Sequence, residues 1–137
     1  MVKKTSAYVD TSAFIAFLDR SDSFHSLFAR LFSDPPALIT TPLVIAEGHG
    51  WFLRRYDSQR AFQFLNFIED LSPLSVHAIG SSDLRKAAKI LRNFPDQSLT
   101  LVDAVGLQVI RDLKIKTCWS TDRHLGLTGV SLAIHEG

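Results

Sequence analysis

Short apolar runs alternate with amphipathic stretches along this chain, and that alternation restricts the fold more than any other feature. Residues 37–40, 74–79, 115–119 and 130–134 are short runs bounded by turn-forming residues, which suits buried strands. Ala7-Tyr8-Val9 is too short to classify alone, but Asp10-Thr11-Ser12 after it offers cap chemistry for a helix over 13–18. Phe24, Leu27, Phe28, Leu31 and Phe32 then recur at i, i+3, i+4, i+7 and i+8, one face of a second helix. Thr41-Pro42 opens a third, with Gly48 and Gly50 weakening it, and Asp57-Ser58 caps a fourth. Gly80-Ser81-Ser82 turns into a fifth. Thr100 and Asp103 have capping-box spacing at the head of a sixth, which carries Val105, Val109 and Ile110. Strands separated by helices predict an α/β fold. The specific expectation is a three-layer α/β/α sandwich whose central, mainly parallel sheet has four to five strands. Ligands in such folds bind at the carboxyl ends of the strands.

At 137 residues the chain is expected to form one domain over 1–137. Fifteen basic and 14 acidic residues leave a net charge of +1, so any nucleic-acid contact must come from a local patch. A single cysteine, Cys118, excludes an intramolecular disulfide and a multi-cysteine metal site. Lys3-Lys4 precede an apolar stretch, but Asp10, Thr11 and Asp19 interrupt it. Secretion and membrane insertion are therefore rejected, and a cytoplasmic location is expected. Ten phenylalanines exceed what a small core plainly needs, which suggests a homodimer face or a docking groove among the early helices.

Most acids, Asp19 and Asp83 among them, sit where caps and solvation account for them. Four differ. Asp10 ends an apolar approach, Glu47 stands in an otherwise uncharged run from Leu43 to Leu53, and Asp103 is the only formal charge between Gln97 and Ile110. Asp122 follows the fourth predicted strand. Each has an ordinary explanation as a cap, a solvated face or a turn residue. Brought together they would repel and raise one another's pKa unless cations neutralised them. Oxygen donors without a His/Cys constellation suit Mg²⁺ or Mn²⁺ rather than Zn²⁺, and such ions commonly serve phosphate chemistry.

Four motifs carry a family resemblance: Val9-Asp10-Thr11-Ser12-Ala13, Pro42 to Glu47, Ser98 to Ala104, and Ser120-Thr121-Asp122-Arg123-His124. In order and spacing they resemble the PIN-domain ribonucleases, most closely the VapC-like toxins of toxin–antitoxin pairs. The resemblance covers essentially the whole chain. It implies an endoribonuclease dependent on Mg²⁺ or Mn²⁺, with Asp10, Glu47, Asp103 and Asp122 as catalytic metal ligands. Ser12, Ser120 and Thr11 would orient carboxylates or water, Ser120 standing where the family more often has Thr. Arg123 is placed to meet a substrate phosphate. A metal-activated water would cleave the phosphodiester, leaving a 5′-phosphate and a 3′-hydroxyl. The implied partners are RNA, a cognate antitoxin protein and a second copy of the chain, with no membrane. Two other readings are an inactive PIN-like scaffold and a PIN nuclease outside any toxin–antitoxin pair. A haloacid-dehalogenase-like phosphatase is disfavoured because Ser12 stands where that chemistry needs a second Asp. His49 and His124 lie near proposed site residues and are weighed only as substrate contacts.

Overall fold

Parallel neighbours cannot be joined by tight turns, so the chain must cross over between strands, and helices make most of these crossings. The computed structural model describes residues 7–135. Its strands are β1 (Ala7–Val9), β2 (Leu38–Thr40), β3 (Leu74–Val76), β4 (Thr117–Trp119) and β5 (Ser131–Leu132). They form one five-stranded sheet in the order β3-β2-β1-β4-β5, and every adjacent pair is parallel. α1 (Thr11–Leu18) and α2 (His25–Ser33) cross from β1 to β2, and α3 (Pro42–Arg55) and α4 (Ser58–Asp70) from β2 to β3. α5 (Ser81–Asn93) and α6 (Leu101–Asp112) return the chain to β4, and a 3₁₀ turn (Arg123–Gly126) leads to β5. The expected α/β sandwich is the observed one.

Local chemistry explains the helix starts. The Thr41 hydroxyl accepts the Val44 amide at 3.4 Å with Pro42 in the first turn, and Asp57 accepts the Arg60 amide at 2.8 Å. Thr100 and Asp103 bond reciprocally, amide to side chain, at 3.0 and 3.1 Å. Two expectations shift. β3 ends at Val76 rather than at residue 79, and Val76 is exposed, because this strand lies at the sheet's edge. A short 3₁₀ turn (Pro95–Gln97) occupies the loop expected before α6.

The phenylalanines are spent mainly inside. Phe14 on α1 lies 5.7 Å from Phe32 and 6.0 Å from Phe64, ring centre to ring centre, and Phe32 meets Trp119 of β4 edge-on at 5.0 Å. Phe62, 60% exposed, is the one phenylalanine among the large exposed apolar side chains of the described residues. Most of the phenylalanines expected to leave aromatic surface over for docking therefore belong to the core. Gly48 lets α3 approach α4, since a Cβ there would collide with the Phe64 ring. On the other side of the sheet, a Cβ at Gly106 would lie 2.9 Å from the Tyr8 hydroxyl, so α6 seats directly on β1. Among the described residues no helix is long and apolar enough to cross a membrane.

Candidate metal centre at the carboxyl edge of the sheet

The register pairs Val9 with Trp119, so the residues that leave β1 and β4 emerge side by side. The Asp10 amide extends that ladder by one bond, donating to the Trp119 carbonyl at 3.0 Å. Asp10 occupies the cap position of α1 without capping it. Its Oδ2 instead accepts the hydroxyls of Ser12 and Ser120, each at 3.0 Å. Those hydroxyls lie 3.1 Å apart and are held from the far side by the amides of Thr121 and Asp122, both at 2.9 Å. Two serines from distant parts of the chain thus fix one carboxylate. The Thr11 hydroxyl is buried with no hydrogen-bond partner among the described residues, and it is the Thr11 backbone amide that favours the Asp10 carboxylate.

α6 brings the second carboxylate. Gly106 rests on Tyr8, and one helical turn earlier Asp103 stands in the first turn over the end of β1. Its Oδ2 takes the Thr100 amide, and its other oxygen has no protein donor among the described residues. Cap and site residue are therefore compatible roles in one side chain. Asp122 supplies the third carboxylate from the turn after β4. Its Oδ1 accepts the His124 amide at 2.9 Å and lies 2.9 Å from His124 Nδ1. Ligand atoms of Asp103, Asp122 and His124 all fall within 4.8 Å of one another.

Electrostatics single out Asp10. Burial does most to push its pKa from 3.8 up to about 6. The Ser12 hydroxyl opposes that shift, Asp103 adds to it, and the Ser120 hydroxyl and Thr11 amide oppose it again. Among the described residues no Lys or Arg forms an ion pair with Asp10, Asp103 or Asp122. Asp103 and Asp122 with His124 form a donor set that fits a divalent metal ion, and Asp10 lies beside that group rather than in it. The same burial, followed by Asp10 and then Cys118 and Asp103, raises the Tyr8 phenol, while Thr41 partly opposes it without reaching hydrogen-bond geometry.

The remaining expected residues are less closely tied. Glu47 is half-buried on α3, which starts at the carboxyl end of β2, and its carboxylate makes no hydrogen bond or ion pair among the described residues. Arg123 is exposed and lines a small cavity with Gly126, Leu127, Val130, Leu132 and His135. His124, weighed from the sequence only as a substrate contact, stands beside Asp122 and joins its group of ligand atoms.

A family model described as "PIN domain" matches residues 7–129. Ribonuclease VapC26 of Mycobacterium tuberculosis is 23% identical over 116 residues, covering 84% of this chain and 85% of the relative. Among solved structures, the Sarcin-Ricin loop cleaving toxin VapC20 of Mycobacterium tuberculosis superposes with a TM-score of 0.83 at 22% identity. That match covers 90% of this chain and 95% of the toxin. A toxin–antitoxin complex from Klebsiella pneumoniae gives a TM-score of 0.61 at 15% identity, covering 92% and 94%. At these identities the structural likenesses establish the fold.

Proposed function

Because this chain belongs to the PIN-domain family, we propose that it is an endoribonuclease dependent on Mg²⁺ or Mn²⁺ and the toxin of a toxin–antitoxin pair. One observation carries this reading. Ligand atoms of Asp103, Asp122 and His124 lie within 4.8 Å of one another, Asp10 lies beside them in electrostatic reach of Asp103, and no Lys or Arg is paired with any of the three aspartates among the described residues. Asp10, Asp103 and Asp122 would hold the cation, with Glu47 of α3 as a fourth acid. When bound, the cation would supply an activated water and charge stabilisation at the scissile phosphate. The chain's own work is positional. Ser12 and Ser120 hold the Asp10 carboxylate, Thr100 fixes the rotamer of Asp103, and the turn amide of His124 fixes Asp122. Asp103 also stands at the helix end that favours negative charge. Arg123, exposed beside Asp122, is proposed to meet a backbone phosphate.

The names of the relatives support the substrate class and the partner. One is a ribonuclease, one is a Sarcin-Ricin loop cleaving toxin, and a third is solved as a toxin–antitoxin complex. The test is cleavage of RNA by the wild type with Mg²⁺ or Mn²⁺, alongside Asp10→Asn and Asp103→Asn. Metal-dependent cleavage with 5′-phosphate products, lost in both variants, is expected. Equal behaviour of wild type and variants would remove the nuclease assignment.

A further inference from the structure

Resting on that metal-dependent reading, we propose that His124 is itself a ligand of the cation. The site would then be a mixed nitrogen–oxygen centre that favours a first-row transition ion over Mg²⁺. The geometry is built from the turn upward. Asp122 caps the 3₁₀ turn, its Oδ1 accepting the His124 amide, while Leu125 in the same turn is buried and anchors it. This backbone tie holds the imidazole against the carboxylate, with Nδ1 2.9 Å from Oδ1. Two adjacent ligands about 2.1 Å from one octahedral ion stand about 3 Å apart. The pair therefore has the spacing of two cis ligands as well as that of a hydrogen bond.

Asp103 closes the third side within 4.8 Å, and the imidazole is 37% exposed, so the nitrogen is reachable from the mouth of the site. The other histidine whose Nδ1 has a partner shows the contrast. His25 is bonded to the Ala16 carbonyl at 2.9 Å and stacked on Phe17, which is a packing role. Among the described residues, His124 alone of the histidines joins a group of three ligands. An imidazole nitrogen adds affinity for transition ions, whereas Mg²⁺ takes oxygen ligands and gives up water reluctantly. A residue that merely orients Asp122 would not discriminate between the two ions.

The experiment is pulsed EPR on wild-type protein with less than one equivalent of Mn²⁺, prepared with natural-abundance and with ¹⁵N-labelled histidine. The bound ion should show nitrogen coupling that changes with the label and disappears in His124→Gln. Titrations should show Mn²⁺ affinity falling about tenfold or more in His124→Gln, with a clearly smaller fall for Mg²⁺. Bound Mn²⁺ without nitrogen coupling, coupling that survives in His124→Gln, or equal losses for both ions would overturn the proposal and leave the nuclease reading standing. Mn²⁺ binding that is absent, or unchanged in Asp103→Asn, would overturn both.

Discussion

Two aspartates flank α1, and they solve the same problem in opposite ways. Asp10 at its head and Asp19 at its foot are 4% and 6% exposed, and both accept hydroxyl hydrogen bonds. Burial raises both. Around Asp19, the Ser21 hydroxyl and amide, the Tyr56 hydroxyl and Arg60 outweigh it, leaving the pKa below 3.8. Arg60 is itself stacked 4.2 Å over the Tyr56 ring and bonded to the Leu18 carbonyl, so the cation is part of the fold. Around Asp10 two serines are outweighed by burial and by Asp103, and no Arg or Lys pairs with it. The lesson is that burial does not mark a functional acid. What marks it is compensation that the protein leaves to something else.

Breaking the Asp10 side of the comparison should have the largest effect. Asp10→Asn or Asp103→Asn should lower the RNA cleavage rate by at least about 10²–10³-fold, measured at saturating Mg²⁺ or Mn²⁺ with folding checked by circular dichroism.

The next effect is thermodynamic. The folded-state pKa of Asp10 lies above its unfolded value, so the native state binds the extra proton between pH 3.8 and about 6. Without divalent cations, its contribution to stability therefore falls as pH rises through that window, by about 3 kcal/mol in all. Denaturant unfolding at pH 4.5 and 7.5 should show this component in the wild type and not in Asp10→Asn. Above pH 6 the variant should be the more stable of the two.

Asp19 has the opposite sign. Its depressed pKa contributes stability that is present above 3.8 and is lost as pH falls through the folded value. Asp19→Asn should cost about 2 kcal/mol in unfolding experiments at neutral pH and leave the metal affinity of the folded protein unchanged. A parallel loss of metal affinity would erase the distinction between the two ends of the helix. The smallest effect should come from Ser120→Ala, which removes one of the two hydroxyls on Asp10. Metal affinity by titration calorimetry should fall about tenfold while the fold persists.

The parts of the fold that were legible in the sequence are the local ones. Helix starts at Pro42, Ser58 and Leu101 follow from caps a few residues away, and the alternation of element types leads to the parallel sheet. The end of β3 was not legible, because edge position is a property of the whole sheet. Among the acids, Asp103 stands out by its uncharged surroundings, yet nothing local in the sequence separates Asp19 from the solvated acids. Its partners Tyr56 and Arg60 lie about forty residues away in sequence, and only packing of α1 against α3 and α4 brings them in. The serine clamp on Asp10 is similarly non-local, since it needs β1 and β4 adjacent.

Carboxyl carbon chemical shifts of the aspartates, followed by NMR from pH 3 to 8 with and without Mg²⁺, test the central claim on both residues at once. Without Mg²⁺, Asp10 should titrate near 6 and Asp19 below 3.8. Saturating Mg²⁺ should drive the Asp10 midpoint below that of an ordinary aspartate and leave Asp19 where it was. An Asp10 midpoint already low without the ion, or one that Mg²⁺ does not move, would contradict the account.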